Sequence, residues 1–542
     1  MREIPVLVVG GGPVGLTASI LLSQHGVRSL LVERHPGTAV HPKARAVNAR
    51  TMEMYRQCGV EAAIRAAGLP PERARFIVWA RTLTGEEIER RVPWRATADG
   101  LAVSSVRNCL CAQDDLEPVL RAFAEKHEQA SLAFGTELTA FEPDGDGVTA
   151  TLTDRVTGGV TRVRARYVIA ADGAQSRIRR ALGVPMLGKE AVYESVNVLL
   201  RADLTPWTAH RPAALYFIEH PRIKATFLTI NGVDRWGFLV NSFRAYGLTE
   251  ADFTPERTVE LVRMAAGVAD LTVEILGIAP WTAAAHVASR YREGPVFLAG
   301  DAAHEMPPTG GFGLNTGVQD AQNLAWKLAA VLHGWAAPSL LDTYHDERQP
   351  VGRTITEQSL VNSISMGRLG RQADGQARAR PEYLNEQGLI FGASYTSAAV
   401  IPDGTPPPAV ANPVTDYVPS ARPGSRAPHA WLARAGARAS TLDLVGRRFV
   451  LFTGARGDGW RAVARGIAER SRLPLDVVTV DAAADVDGAC ATVYGIEDDG
   501  AVLVRPDGHV GWRGRSARDV SAEALRRGVD ALLGWRSDSP LR

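Results

Sequence analysis

Apolar residues run almost unbroken through Ile4–Val9, spread through an apolar-rich segment Val14–Gln24, and run again through Ser29–Glu33. A buried strand, a helix closed by Gly26 and a second strand predict a right-handed βαβ unit of a parallel sheet. Helical patterns return at Ala49–Gln57 and Asp114–His127, and "YVIAA" at Tyr167–Ala171 reads as another apolar strand. From about Pro185 to Ala285 the period drops to two, in "SVNVLLRADL", "AALYFI", "KATFLTI" and "RWGFLVNSF". Alternation with bulky aromatics predicts an antiparallel sheet inserted into the first domain. The strand "PVFLAG" then leads back to that domain, and a helix follows from about Gly313 to His333.

The Pro-rich passage "IPDGTPPPAVANP", Ile401–Pro413, reads as a linker. Beyond it come a strand "RRFVLFT", a helix near Gly459–Ser471, a strand "LDVVTV", and a hairpin in "AVLVRPDGHVGWR" that turns at Pro506-Asp507-Gly508. This order resembles a thioredoxin-like domain. It contains no Cys-x-x-Cys, so dithiol redox chemistry is excluded.

Composition narrows the function classes. The 61 basic and 59 acidic residues nearly balance, so charge points to neither nucleic acid nor an anionic membrane. No apolar run approaches a membrane span, and the chain starts at once on a strand, so a soluble cytoplasmic protein is expected. Of the four cysteines, Cys109-x-Cys111 has no partner pair at zinc spacing, so Cys58, Cys109, Cys111 and Cys490 read as buried thiols and no metal is expected.

Three motifs carry chemistry. In "VVGGGPVGL", Gly10 permits a tight turn, Gly12 lets backbone approach a pyrophosphate and Gly15 lets helix and strand pack closely. Pro13 and Val14 open the helix whose amides face the phosphates, and Glu33, followed by Arg34, ends the next strand where an acid would accept ribose hydroxyls. The second motif, "VIAADGAQSRIRRALG", places Asp172-Gly173 at a strand end with Ser176, Arg177 and Arg180 close behind. Alone it reads equally as a β-turn before a charged helix. The third is "FLAGDAAHEMPPTGGFGLN". Asp301 ends a strand where a polyol hydroxyl would bind, Pro307-Pro308 fixes an extended wall, and Gly310, Gly311 and Gly313 leave backbone bare. Leu314 and Asn315 then offer amides at the positive end of a helix, suited to a flat heterocycle that gains charge on reduction.

In this order and spacing the motifs resemble the group A flavoprotein monooxygenases, the single-component FAD aromatic hydroxylases, over essentially the first 400 residues. The resemblance implies that Gly12, Gly15 and Glu33 hold the ADP half of FAD. It gives Asp172 a role toward FAD and NAD(P)H, and Asp301 a place on the ribityl chain. Pro308, Gly311, Gly313, Leu314 and Asn315 would surround the ring, with Arg45 of "KARAVNART" and Gln113 of "CAQDDLEPVL" on the flavin side. The thioredoxin-like extension narrows the likeness to the phenol hydroxylase branch that includes aromatic polyketide hydroxylases such as the aklavinone and angucycline enzymes. Phe312 departs from it, standing where many relatives have Gln.

The implied fold is α/β: a Rossmann-like FAD-binding domain at 1–184 and 286–400 (with 72–110 partly on the substrate side), an antiparallel substrate sheet at 185–285 as in para-hydroxybenzoate hydroxylase, a linker at 401–424 and the thioredoxin-like domain at 425–542. The implied activity is NAD(P)H-consuming hydroxylation of an aromatic, polycyclic polyketide through a flavin C4a-hydroperoxide, with NADPH or NADH as donor. The partners are a small aromatic substrate and O2, the protein being a monomer or homodimer. No residue is assigned as a catalytic acid or base, and Arg45 is assigned only to flavin positioning. His304 reads as a hydrogen-bonding residue rather than a general base. Tyr216, Phe227, Trp236 and Phe238, if not ordinary core, would line the substrate pocket with Met306 and Pro307. The alternatives are a simple-phenol hydroxylase of aromatic catabolism, a Baeyer–Villiger or epoxidising oxygenase, and a non-catalytic flavin-binding protein.

Overall fold

The structure, a computed structural model, describes residues 1–93, 102–366, 380–434, 436–518 and 521–535. Parts of the expected spans 72–110, 286–400 and 425–542 thus lie outside the described residues.

Five parallel strands form the centre of the first sheet, in the order Val296–Leu298, Val160–Ala170, Arg2–Val9, Ser29–Glu33 and Ala130–Phe134. Register aligns Val9 with both Val32 and Ala170, and Ala170 with Leu298. All these strands therefore end at one edge. Gly10, Glu33, Asp172 and Asp301, far apart in the chain, arrive there together, where open α/β sheets bind ligands. Helices Pro13–Gln24 and Gly313–Leu332 pack against each other beside this sheet.

The second sheet has eight strands, ordered His304–Glu305, Glu274–Ala288, Met186–Arg201, Arg235–Asn241, Ile223–Thr229, Ala213–His220, Phe76–Ala80 and Glu87–Arg91. It is antiparallel except where Ala213–His220 pairs in parallel with Phe76–Ala80. The strands of the 185–285 region pair with one another only in antiparallel fashion, and the parallel pair brings in Phe76–Ala80 from outside it. A strand arriving from an earlier part of the chain is not joined to its neighbour by a hairpin, so its direction is unconstrained.

The C-terminal sheet runs Leu475–Val480, Phe449–Gly454, Ala501–Val504, Val510–Gly514, with the first pair parallel and the others antiparallel. Helices Asp458–Ser471 and Ala522–Leu532 pack on each other beside it. Its core is continuous with that of the first sheet: Phe449 meets Trp326 edge-on at 5.6 Å between ring centroids.

Candidate active site

One cavity of about 1740 Å³ runs from the ends of the parallel strands to one face of the second sheet. At the strand end its wall is the glycine turn. Gly10 has φ +115°, and a side chain there would drive a carbon to 2.1 Å from the carbonyl oxygen of Ala171. A Cβ on Gly15 would lie 1.9 Å from the Gly10 oxygen, so this residue seats the helix on the strand and does not itself reach the cavity. Gly12 faces open space: a Cβ there would meet only a Glu117 oxygen, at 3.9 Å. It leads into helix Pro13–Gln24, which has no side-chain N-cap, so the first amides of that helix are left for a ligand beside Pro13 and Val14.

Glu33 is fixed by accepting hydrogen bonds from Gly11 N (2.7 Å) and His35 N (2.9 Å). Arg34 lines the cavity and is exposed. Asp172 accepts from Ile178 N at 3.3 Å through one oxygen, while the other is buried without a protein partner among the described residues. Burial raises its carboxyl above the ordinary value, with Ser176 opposing. Asp301 is exposed into the cavity, with dense protein around it. Desolvation by that protein raises its carboxyl and His304 partly offsets this.

The far wall of this end is the third motif. Pro308, Gly311, Gly313 and Leu314 line the cavity, at the start of helix Gly313–Leu332, which also lacks a side-chain cap. The side chain of Asn315 is turned away: its Nδ2 donates to Ala46 O (2.8 Å) and Gly311 O (2.7 Å), and its Oδ1 accepts from Asn48 N (2.9 Å). Asn315 therefore pins the helix start, and it is buried and does not reach the cavity wall. Phe312 lines the cavity too, its ring packed among Ala49, Ile355, Ile390 and Phe391.

Arg45 and Gln113 both line the cavity. The Arg45 guanidinium donates to Thr229 O (2.9 Å) and Ala214 O (2.6 Å), so it ties the nucleotide side to the second sheet. Gln113 donates to Glu117 at 2.6 Å. His304 is fully buried, is absent from the cavity wall and meets Asp320 Oδ2 at 2.8 Å.

The expected substrate residues divide. Met306 lines the cavity, but Pro307 is buried and does not reach it, because its neighbours Met306 and Pro308 take the exposed positions. Tyr216, Phe227, Trp236 and Phe238 are corrected: all four face the other way, into a core closed by Leu261, Val262 and Ala265 of helix Pro255–Ala266. Their polar tips are satisfied there, Tyr216 Oη on Arg211 O (2.9 Å) and Trp236 Nε1 on Ala202 O (3.1 Å). Strand alternation puts the opposite set on the cavity: Asn197, Leu215, Leu228, Gly237 and Leu239, with Ile77 alongside. Phe238→Ala should therefore cost about 3–5 kcal/mol of stability and leave the KM of the surviving protein unchanged. Leu239→Ala should raise KM several-fold with a smaller loss in melting temperature. Parallel melts and steady-state kinetics separate the two.

Sequence reasoning also passed over Asp320, which holds the third motif in place. One oxygen accepts from Gly300 N (3.1 Å) and His304, and the other from Arg348 Nε (2.7 Å). Burial opposes its charge, but Arg348 and His304 hold the carboxyl below its usual value. Its position seven residues after Gly313, two helical turns on, was the available signal.

A bare-backbone cradle at the ends of parallel strands, continuous with an apolar sheet face, defines a dinucleotide-dependent protein that brings a second, flat ligand beside its cofactor. Residues 3–359 match the FAD binding domain family and residues 420–535 the aromatic-ring hydroxylase C-terminal family. The chain belongs to the FAD-dependent aromatic-ring hydroxylases. It is 40% identical to tetracenomycin B2 monooxygenase-dioxygenase of Streptomyces olivaceus over 98% of each chain. Among solved structures it is similar to the flavin-dependent monooxygenase PieE in complex with FAD and substrate (TM-score 0.92, 36% identity, covering 98% of this chain and 99% of that one). It is also similar to aklavinone-11 hydroxylase in a ternary complex with FAD and aklavinone (TM-score 0.89, 36% identity, 98% and 99% coverage).

The residues present fit FAD. The glycine turn leaves room that a side chain would fill, two helix starts are uncapped, and Asp172 and Asp301 present carboxyl groups to the same cavity. Among the described residues no helix is long and apolar enough to cross a membrane, and no three His, Cys, Asp or Glu side chains gather as a metal would need. The four cysteines are buried free thiols.

Proposed function

We propose that the protein is an NAD(P)H-consuming, FAD-dependent monooxygenase that hydroxylates a polycyclic aromatic polyketide. The observation that carries this is the single cavity: the flavin cradle opens without a break onto an apolar wall of Ile77, Leu110, Leu215, Leu228, Ile230 and Leu239. That wall suits a flat, multi-ring substrate, whose rings bind by area rather than by many polar contacts.

Bound FAD supplies the redox and oxygen-activating chemistry. The chain's own residues bind, orient and exclude water. Gly10, Gly12, Pro13, Val14 and Glu33 would hold the ADP half, with Arg34 at the rim, while Asp172 and Asp301 would accept hydroxyl donors. The free amides at Gly313 and Leu314 would stabilise negative charge on the reduced ring. Arg45 and Gln113 would border the ring, Arg45 also keeping the substrate sheet in register with it. We read residues 1–184 and 286–400 as the cofactor domain, 185–285 as the main part of the substrate sheet, 401–424 as a linker and 425–542 as a thioredoxin-like domain with a structural role.

The test is NADPH and NADH oxidation by holoenzyme against multi-ring and single-ring phenols, with products followed by mass spectrometry. Consumption stimulated by multi-ring phenols, with products gaining one oxygen atom, is expected. Turnover confined to single-ring phenols would overturn the substrate class.

A further inference from the structure

Left-handed backbone among the described residues falls on 25 glycines and on three other residues, Ser242, Leu384 and Arg472. Ser242 is partly exposed and Arg472 exposed, whereas Leu384 is buried at 6% exposure with φ +74°. A branched apolar side chain rarely adopts this conformation, and strain of this kind gathers at ligand-holding sites. At every other buried position of this kind among the described residues the chain uses glycine. At Leu384 it keeps a side chain instead.

That side chain lies on the cavity wall together with its neighbour Tyr383. Both pack with Ile77, Trp79, Ala214 and Phe217, on the face of the second sheet opposite the one covered by helix Pro255–Ala266. The turn is held from several sides. Tyr383 N donates to Arg380 O (3.1 Å) and Asn385 N to Glu382 O (2.9 Å). Arg380 reaches Asn362 (2.5 Å) and Gln358 (3.0 Å) on helix Thr343–Ser365, and Asn412 holds Glu382 (3.2 Å). A turn pinned this way can keep an unfavourable residue in place, so that the side chain is presented rather than relaxed away.

We propose that Leu384, seated by this turn with Tyr383 beside it, is a specificity-determining residue: it forms the wall against which a planar multi-ring substrate packs. The inference rests on the polyketide reading above and names the residue that selects multi-ring over single-ring phenols. A single ring offers little area to this wall and gains little from it, whereas a fused ring system loses contact area when the side chain is removed.

The test compares wild-type holoenzyme with Leu384→Gly, using a hydroxyanthraquinone and a single-ring phenol as probes. Glycine suits the backbone at this position, so the variant relieves strain while deleting the wall. Hydroxyanthraquinone affinity, read from the perturbed flavin absorbance, should weaken about tenfold, and less of the NADPH consumed should end in hydroxylated product. Affinity for the single-ring phenol should change less than twofold, and Leu384→Met should restore the multi-ring preference. A Leu384→Gly holoenzyme with unchanged hydroxyanthraquinone affinity and coupling overturns this inference alone. Wild-type enzyme that does not bind hydroxyanthraquinone overturns the polyketide reading and the inference with it. If Leu384→Gly does not retain flavin, Leu384→Ala is read in the same way, and flavin loss in both variants places Leu384 in the scaffold and overturns the assignment.

Discussion

Asp301→Ala is expected to yield a folded protein that has lost most of its flavin. The carboxyl group sits at the end of a parallel strand and opens into the cavity, where the dense protein around it makes it unfavourable to leave charged and unpartnered. Its function in the site is therefore toward the ligand. A hydrogen bond between a charged acceptor and a ribityl hydroxyl contributes about 1.5–3 kcal/mol, which corresponds to a loss in FAD affinity of roughly 10- to 150-fold. Gel filtration followed by the visible flavin spectrum gives the answer. The apoprotein's melting temperature should match that of wild-type apoprotein, because the side chain faces the ligand space rather than the packed core. A fully yellow variant after exhaustive dialysis would refute the assignment.

Glu347→Ala should destabilise the fold about as much as Phe238→Ala, through lost charge pairing rather than lost packing. Glu347 lies in a fully buried network that joins the hairpin of the C-terminal domain to the helices behind the flavin site. One of its oxygens accepts from Arg505 (2.6 Å) and Ser397 (2.7 Å), and the other from Lys327 (2.7 Å), Asn323 (2.7 Å) and Arg505 (2.8 Å). Asp507 completes the set, accepting from Arg505 and from Trp326 Nε1 (3.1 Å). Two cations thus face two anions. Burial works against every charge in the group. It lowers the Lys327 ammonium to about 8, whereas Arg505 and Lys327 overcome it at Glu347 and hold that carboxyl well below the usual range. Removing Glu347 leaves two buried cations sharing one anion, which costs about 3–5 kcal/mol, a large part of the margin of an ordinary domain. Denaturant unfolding of Glu347→Ala beside wild type measures it, and a loss under about 1 kcal/mol, the scale of an exposed ion pair, would contradict the reading. The network is also why the C-terminal domain counts as part of the scaffold: Tyr395, stacked on His509 at 4.0 Å, hydrogen-bonds Arg348, which holds Asp320 beneath the Gly300-Asp301 turn.

What could be read from the chain follows from how locally each feature is encoded. The glycine turn, Glu33, Asp172 and the stretch from Asp301 to Asn315 are short segments at strand ends. The residue types there answer to backbone geometry, so the glycine turn and the third motif are legible locally, whereas Asp172-Gly173 alone reads equally as a β-turn and stands out only beside the other motifs. Alternation in "RWGFLVNSF" gave the strand but not the side: a period of two separates Trp236 and Phe238 from Gly237 and Leu239, while only the packing of helix Pro255–Ala266 decides which set is core. Aromatics pointed to the wrong face because a helix-covered core needs large side chains as much as a binding pocket does. The buried charges were invisible for a different reason. Arg505 and Glu347 are 158 residues apart, and nothing local to either marks it as half of a pair. Asn315 was legible as a site residue, but its side chain is occupied in fastening the helix start, a role that depends on Ala46 and Asn48 from a distant segment.

In the proposed function, one cavity brings a flavin and a multi-ring aromatic together so that one atom of dioxygen enters the ring. The most direct test is turnover of a hydroxyanthraquinone or related fused-ring phenol under 18O2 with NADPH, followed by mass spectrometry of the product. One 18O atom is expected in the product, and none when label is supplied only as water. Flavin oxidation that yields hydrogen peroxide, with the aromatic recovered unlabelled and unchanged, would contradict this.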